Sequence, residues 1–326
     1  MKLGTLFSGI GGVDVGAEMA GIKSAWRIEI DAKRAAIADA NLVNKTIVAS
    51  VLDVDFSSMP AVDILHASPP CPSFSVAKTD AKETSADLDL ANAVSRAITE
   101  IKAPLVTIEN VYGYRLSQSW AIIERALVDA GYFYTADNVN AADYGVPQTR
   151  LRMIVRAVRG GLVPSLPPAR PHVGWHEAIE DLIPELPSSQ FARWQIALLP
   201  DEAKTMLIGN DRNGNERTKL NTRKHCNPAM TITESNAGKI RAFLVTGTGT
   251  NNTVGYRTEG ELSFTVTEAQ KAAHRAWLTC GRVVKMTPRC LARFQSFPDS
   301  FKLSGTLGIG NAVPPLLYKA VVESLA

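Results

Sequence analysis

Short apolar runs alternate with helical patterns over residues 2 to about 158. LGTLF, AWRIEI and VDILHAS have the length and composition of buried strands, and GVDVGAEMAG and DAKRAAIADAN have helical spacing. Further along, a helix is predicted by apolar residues on one helical face, at Leu88, Ala91, Val94, Ile98 and Ile101. The strand PLVTIEN, the helix QSWAIIERALVDAG and the strands YFYTADNVN and RLRMIVRAV follow. The alternation predicts an α/β fold with a doubly wound, mostly parallel sheet. Ligands of such sheets bind outside the carboxyl ends of the strands, so the residues after LGTLF, AWRIE, DILHA and VTIEN should converge on one crevice.

Proline and glycine clusters, polar loops and short threonine-rich strands replace this alternation beyond Val158. The change predicts a second, smaller domain that is irregular and β-rich. Within it, MTITESNAGKIRAFLVTG (Met230 to Gly247) recurs 34 residues later as FTVTEAQKAAHRAWLTCG (Phe264 to Gly281). The echo indicates either a repeated strand-turn-strand unit or an accidental similarity between threonine-rich segments.

Charge separates the two parts of the chain more clearly than the net charge of +3 does. Residues 159–305 contain 19 Lys and Arg against 13 Asp and Glu, a net charge of +6, and the remainder carries −3. The densest basic stretch extends from Arg212 to Arg241. This half is therefore the candidate for contact with a polyanion, although a solvated surface would have the same composition.

The sequence also excludes several classes of protein. It has no run of about eighteen apolar residues, and glycines interrupt its N-terminus too early for a signal peptide, so we expect a soluble, cytoplasmic protein without a membrane partner. His176-Glu177-Ala178-Ile179-Glu180 has glutamate where H-E-x-x-H needs histidine, and we expect no metal. No disulfide framework or structural zinc site is indicated, because no C-x-x-C pair occurs among Cys71, Cys226, Cys280 and Cys290.

A glycine-rich loop, Leu6 to Gly12, follows the first strand and opens a helix, as a loop that approaches a nucleotide must. Glu29 ends the second strand, where a carboxylate can accept both hydroxyls of a ribose. Asp53 follows a third short strand and could accept from an adenine amino group. The three positions favour a cofactor that contains adenosine, and a tight turn with surface acids is the alternative.

Cys71 lies among three prolines in SPPCPSFS, directly after the strand VDILHA. Proline fixes the backbone and removes amide donors, which suits a thiol that must be held at a defined angle. We interpret Cys71 as a nucleophile at the crevice, where positive charge can stabilise its thiolate. The alternative is a buried cysteine that acts as a small hydrophobe.

Glu109 and two arginines are further candidates for the same crevice. Glu109 ends the strand PLVTIEN, so it should face Cys71 and could act as an acid. In QTRLR, strand alternation puts Gln148, Arg150 and Arg152 on one face. The arginines could bind a substrate beside the thiolate, or could form a solvated edge.

Six motifs, in order, resemble those of the bacterial C5-cytosine DNA methyltransferases over nearly the whole chain: LFSGIGG, PPCPSFS, ENV, QTRLR, RFQSFPDSF and GNAVPP. The resemblance implies a Rossmann-like class I methyltransferase, S-adenosylmethionine as methyl donor, and a flipped cytosine in duplex DNA as substrate. It divides the chain into a catalytic domain, residues 1–158 plus 306–326, and a target-recognition domain, residues 159–305. A monomer is adequate for methylating one strand at a time, and we expect a monomer that acts alone or beside a separate restriction endonuclease.

The resemblance also assigns roles to the catalytic residues. Cys71 would add to C6 of the cytosine, Glu109 would contact N3 and the exocyclic amine, and Asn110 would hold the Cys71 loop. Arg150 would contact the O2 side of the base, with Arg152 as its companion near the loop.

The cofactor residues implied by the same motifs surround the glycine-rich loop and the ends of the next strands. They are Phe7, Gly9, Ile10, Gly11, Glu29, Ile30, Asp53, Val54, Pro70, Asn311 and Ala312.

Two departures from the family pattern affect these expectations. Thr5 stands where many members have aspartate, and the loop after Cys71 lacks the usual Asp-x-Arg, with Asp87, Leu88 and Asp89 instead.

Three other hypotheses for the function explain fewer of these sequence features. A transfer-RNA methyltransferase keeps the chemistry, but that branch of the family usually has threonine where Ser75 stands, and the long insert favours DNA. A nicotinamide oxidoreductase leaves PPCPSFS, ENV and QTRLR unexplained. An inactive DNA-binding module would lack Cys71 or Glu109, and both are present.

Overall fold

The computed structural model describes residues 1–70, 83–189, 208–210, 216–218, 242–246, 255–266, 275–278 and 283–325. Cys71 and most of the basic stretch from Arg212 to Arg241 lie outside the described residues. No helix in the described ranges is long and apolar enough to cross a membrane.

Seven strands form the large sheet, in the order β3-β2-β1-β4-β5-β7-β6. β7 runs antiparallel to both of its neighbours, and the other pairings are parallel. The predicted doubly wound, mostly parallel sheet is therefore confirmed. The strands are β1 (Lys2–Leu6), β2 (Lys23–Glu29), β3 (Thr46–Val48), β4 (Ile64–Ala67), β5 (Leu105–Val111), β6 (Tyr132–Asn140) and β7 (Leu151–Arg159).

Helices cover both faces of this sheet. One face packs against α3 and α4, whose apolar sides include Val94, Ile98 and Ile123. The other face packs against α1 and α6 through Val13, Leu317 and other apolar residues. The α-helices are α1 (Gly12–Met19), α2 (Ala32–Asp39), α3 (Ser85–Ile101), α4 (Gln118–Asp129), α5 (Pro288–Phe294) and α6 (Pro315–Glu323), and 3-10 helices span Phe56–Ser58, Tyr112–Leu116, Ala141–Tyr144 and Glu177–Glu185.

The contact between α1 and α6 depends on a glycine. A Cβ on Gly16 would lie 2.5 Å from the carbonyl oxygen of Pro315 and 3.0 Å from Cβ of Tyr318. α6 therefore approaches α1 more closely than any larger residue allows, and it brings the C-terminal residues back onto the first strands.

The substitution Gly16→Ala should separate these helices. Alanine gains about 1 kcal/mol of helix propensity, but overlap with backbone forces a shift, and we expect a net loss of about 1–3 kcal/mol in the free energy of unfolding. Denaturant unfolding measures the loss. Gly260→Ala is the control, because its Cβ would meet nothing within 4 Å. Equal stability of the two variants would contradict this packing.

One polar residue from each strand lies in a single row across the large sheet. The row faces α1 and α6, since Thr5 donates to Asp14 of α1 at 3.2 Å and Thr107 bonds Tyr318 of α6. Buried Arg27 and Arg156 donate to threonines at the two ends of the row, each at 3.2 Å. They also donate to Asp39 and Asp137, so each buried guanidinium has a carboxylate partner beside the row. In strand order the row is Thr46, Arg27, Thr5, His66, Thr107, Arg156 and Thr135.

Two small antiparallel sheets account for the described strands beyond residue 200. One pairs β8 with β9, and the other has the order β11-β10-β12-β13. An apolar core beside them contains Trp175, Phe264 and Val284, and it continues to Phe294 and to Ile10 of the glycine-rich loop. The strands are β8 (Ile208–Asn210), β9 (Glu216–Thr218), β10 (Ala242–Thr246), β11 (Gly255–Thr258), β12 (Arg275–Leu278) and β13 (Val283–Lys285).

The two copies of the sequence echo meet in this sheet. β10 and β12 pair antiparallel, with Phe243 opposite Trp277. These two residues occupy equivalent positions, 34 residues apart, so a local two-fold axis passes between them. The first part of the second copy, residues 264–266, belongs to no strand. The structure therefore shows the closing strand of each copy, and a complete strand-turn-strand unit stays a prediction.

Candidate active site

The glycine-rich loop turns sharply between β1 and α1. Phe7, Gly9 and Gly11 have φ values of 58°, 56° and 89°. Phe7 carries a side chain in this left-handed region, which costs about 1–3 kcal/mol and requires the surrounding structure to hold it. The loop is also packed tightly at Gly12, where a Cβ would lie 2.4 Å from the carbonyl oxygen of Val313. The turn after β1 and the segment before α6 therefore form one wall.

Glu29 holds this loop to the end of β2. One carboxylate oxygen accepts from the backbone N–H of Gly9 at 2.7 Å, and the other accepts from that of Asp31 at 2.9 Å. The side chain is buried. The structure thus places Glu29 beside Gly9, as the spacing of twenty residues predicts.

The other predicted cofactor residues differ in exposure. Ile30 is 70% exposed, although it directly follows a buried carboxylate. Asp53 and Pro70 are also exposed, and Val54 is half-buried. On the opposite wall, Asn311 is exposed and Ala312 is buried. Exposed apolar and acidic side chains therefore lie just beyond the strand ends.

Buried Glu109 forms an ion pair with half-buried Arg152. Nε of Arg152 lies 3.0 Å from a carboxylate oxygen of Glu109, at the adjoining ends of β5 and β7. Burial lowers the pKa of Arg152, and the charge of Glu109 opposes that shift. The pair puts a carboxylate and a guanidinium side by side at the carboxyl end of β5.

Arg150 has a different environment. Its guanidinium donates to the carbonyl oxygens of Gly310 at 3.0 Å and Ala312 at 3.1 Å, and weakly to that of Val266 at 3.4 Å. Burial lowers its pKa well below the usual value, with a further contribution from Arg152. Arg150 therefore joins β7 to the segment before α6.

Gln148 makes a second connection of this kind. Its amide nitrogen donates to the carbonyl oxygen of Phe294 and to Oε1 of Gln295, both at 2.7 Å. Its amide oxygen accepts from the N–H of Val266 at 2.9 Å. Motifs that are far apart along the chain are thus joined by one buried side chain.

The approach to Cys71 is held by Asn110. Its side-chain nitrogen donates to the carbonyl oxygen of Pro69 at 3.1 Å. The described chain resumes at Glu83, whose carboxylate accepts from the N–H groups of Gln118 and Ser119 at the start of α4, at 2.6 and 2.9 Å. Both flanks of residues 71–82 are therefore fixed to neighbouring strands and helices.

Two buried residues at the site were not expected. His66 is 1% exposed in the middle of β4, and Gln295 donates to the carbonyl oxygen of Ile309 at 2.8 Å. A histidine inside the apolar run DILHA was the available signal for the first. Gln295 lies inside the motif RFQSFPDSF, but its buried contacts depend on distant segments.

The described residues contain no group of three His, Cys, Asp or Glu side chains that could hold a metal ion. His172 instead lies 2.9 Å from a carboxylate oxygen of Asp143.

Comparison with known proteins gives the family. The profile of the C-5 cytosine-specific DNA methylases matches residues 1–326. The Type II methyltransferase M.PspPI of Psychrobacter sp. is 29% identical over 98% of this chain and 77% of its own length. M.XorII of Xanthomonas oryzae, also a Type II methyltransferase, is 27% identical over 97% and 82%. This chain belongs to the C-5 cytosine-specific DNA methylase family.

Solved structures agree on the fold. A protein described as a DNA modification methyltransferase from an E. coli prophage superposes with a TM-score of 0.63 at 19% identity, covering 100% of this chain and 98% of its own. A DNMT2 mutant of Spodoptera frugiperda gives 0.58 at 16% identity, covering 99% of both chains.

Proposed function

We propose that this protein transfers a methyl group from S-adenosylmethionine to C5 of a flipped cytosine in a specific duplex DNA sequence. The observation that carries the proposal is the Glu109–Arg152 pair, which lies one residue from the asparagine that holds the approach to Cys71. A flipped base that entered this crevice would meet a carboxyl group and a guanidinium together, beside the segment that leads to Cys71. The Type II methyltransferases among its relatives support a role in restriction and modification.

The cofactor residues suit S-adenosylmethionine by their chemistry. Glu29 is a buried carboxylate with oxygen lone pairs for a ribose diol, and exposed Ile30 offers an apolar surface to a flat ring. Asp53 provides an exposed acceptor for an amino group. Space for a Cβ at Gly9 shows that the loop is open on its outer side. When bound, the cofactor supplies an electrophilic methyl group.

The chain's own residues prepare cytosine for that methyl group. The Cys71 thiolate forms a bond to C6, and the electron pair of the C5–C6 double bond moves to C5. Glu109 binds N3 and the exocyclic amine, so it stabilises the charge that addition puts into the ring. After transfer, a base removes the C5 proton, and the electrons of that bond expel Cys71.

We propose roles for Arg150 and Arg152 that differ from those implied by the resemblance to the family. Because both terminal nitrogens of the Arg150 guanidinium donate to backbone carbonyl oxygens, we assign the O2 side of the base to Arg152, which already lies against Glu109. Arg150 positions the segment that ends the cofactor pocket. Residues 1–158 plus 306–326 would form the catalytic domain, and the basic residues of 159–305 would bind DNA.

Glu29→Ala should weaken cofactor binding more than any other change on this wall. It removes a carboxylate that orders Gly9 and would bind the ribose, and hydrogen bonds to charged groups contribute about 1.5–3 kcal/mol. We expect the Kd for S-adenosylmethionine to rise about 10- to 100-fold in calorimetric titration. Asp129→Ala, which removes an exposed partner of Arg125, is the control. An unchanged Kd in Glu29→Ala would contradict the assignment.

The function is tested by incubating the protein with tritiated S-adenosylmethionine and unmethylated genomic DNA, then sequencing at base resolution for 5-methylcytosine. Methylation confined to one short sequence is the expected result. Label in transfer RNA but not in DNA would contradict DNA as the substrate and would favour a transfer-RNA methyltransferase. Label in neither would contradict it.

A further inference from the structure

His66 lies in the middle of the polar row and has a hydrogen-bonding partner for both ring nitrogens. Nδ1 is 2.9 Å from Oγ1 of Thr107, and Nε2 is 2.7 Å from Oγ of Ser68. The ring is 1% exposed. Burial lowers its pKa to about 3, so the ring is neutral and one nitrogen donates while the other accepts.

The hydrogen bonds continue from Thr107 to the C-terminal helix. Oγ1 of Thr107 lies 3.0 Å from the hydroxyl oxygen of Tyr318 in α6. The Tyr318 ring also packs edge-on against His66, with 4.9 Å between ring centroids and 81° between planes. Four side chains thus form one connected path: Tyr318, Thr107, His66 and Ser68.

The end of this path is the approach to the nucleophile. Ser68 is followed by Pro69, Pro70 and Cys71. Each proline fixes its own φ and has no N–H with which to hold the chain. Among the described residues, the direction of the segment therefore depends on the residues before it and on the hydrogen bond from Asn110 to the Pro69 carbonyl oxygen.

Stability alone does not account for the path. His66, Thr107 and Tyr318 lie where the sheet meets α6, among apolar residues such as Ile154, Leu317 and Val321. Aliphatic side chains would pack there without needing partners. The neutral imidazole instead donates one hydrogen bond and accepts the other, and so fixes the positions of both Thr107 and Ser68.

We infer that His66 is a positioning residue for the nucleophile: held by Thr107 and Tyr318, it fixes Ser68 and so sets the direction of Pro69 and Pro70, the residues that lead to Cys71. This inference rests on the proposed function. It also makes the docking of α6 a condition for correct presentation of the thiol. None of the four side chains need touch the cytosine or the cofactor.

The test measures formation of the covalent protein–DNA complex. With S-adenosylmethionine present and a DNA fragment in which 5-fluorocytosine replaces cytosine, transfer proceeds but elimination stops, because fluorine does not leave as the C5 proton does. The rate of complex formation then reports Cys71 addition together with methyl transfer. Cofactor and DNA binding are titrated separately.

Ser68→Ala and Tyr318→Phe should each slow complex formation about fivefold to tenfold, the factor of one uncompensated hydrogen bond. The Kd values for DNA and S-adenosylmethionine should stay within twofold of wild type, and Ser68→Thr, which keeps the hydroxyl, should recover most of the rate. Tyr132→Phe is the matched control, because it removes a buried hydroxyl that donates to the carbonyl oxygen of Ala103. We expect it to lower Tm without changing the rate.

Wild-type rates in both Ser68→Ala and Tyr318→Phe would overturn the inference while leaving the proposed function intact. If Tyr132→Phe and Tyr318→Phe lost the same rate at the same loss of Tm, the hydrogen-bonded path would contribute only to stability. That result would also overturn the inference. A wild-type protein that forms no complex would overturn the proposed function, and the inference with it.

Discussion

Cys71→Ala should abolish methyl transfer while leaving cofactor binding nearly intact. C5 of cytosine is a poor nucleophile until a group adds at C6, so removal of the thiol leaves the reaction without its first step. Loss of a catalytic nucleophile lowers turnover by factors of about 10⁴ to 10⁶. The measurement is incorporation of tritiated methyl groups into DNA, with the Kd for S-adenosylmethionine titrated alongside.

Cys290→Ala provides the control for this substitution. Cys290 is fully buried in α5, where its sulfur lies 3.3 Å from Oγ1 of Thr287, and burial raises the pKa of its thiol. Its loss should lower stability and leave turnover per folded molecule unchanged. Turnover in Cys71→Ala equal to that of wild type would remove the covalent mechanism.

Glu109→Gln is expected to have the second-largest effect. Glutamine keeps the size of the side chain but carries no charge and cannot serve as the acid at N3, and it leaves Arg152 without its ionic partner. General acid–base groups contribute about 10²- to 10⁴-fold, so kcat should fall by that factor. DNA affinity, measured by titration, should change less than threefold, since phosphate contacts dominate it.

Asp137→Asn is the matched control, because Asp137 pairs with Arg156 at 3.1 Å in the same sheet but at its edge. It should reduce stability slightly and leave kcat unchanged. If Glu109→Gln lost as much DNA affinity as kcat, the residue would only hold the loop.

The pattern of apolar residues predicted most of the large sheet. YFYTADNVN is β6 to the residue, and QSWAIIERALVDAG contains α4. The sequence predicts these segments correctly because a strand or helix that packs against one layer repeats its apolar residues with the period of its own backbone. The crevice also followed from topology, since Gly9 meets Glu29 as expected.

The parts that could not be predicted depend on contacts between distant segments. Alternation places Arg150 and Arg152 on one face but does not say which guanidinium meets backbone carbonyls and which meets Glu109. That choice is made by residues 310 and 312, about 160 positions away. His66 could be noticed as a histidine in an apolar strand, but its partners Thr107 and Tyr318 become neighbours only after β4, β5 and α6 assemble.

The polar row has a consequence for how the sheet reaches its pairing. Neighbouring side chains along a strand point to opposite faces, so a slip of one residue in β2 or β7 would turn Arg27 or Arg156 toward the apolar layer under α3 and α4. A guanidinium there would have no acceptors, at a cost of several kcal/mol. Strands with only apolar residues would tolerate shifted pairings. The polar row instead favours one register of all seven strands and makes the shifted registers less stable during folding.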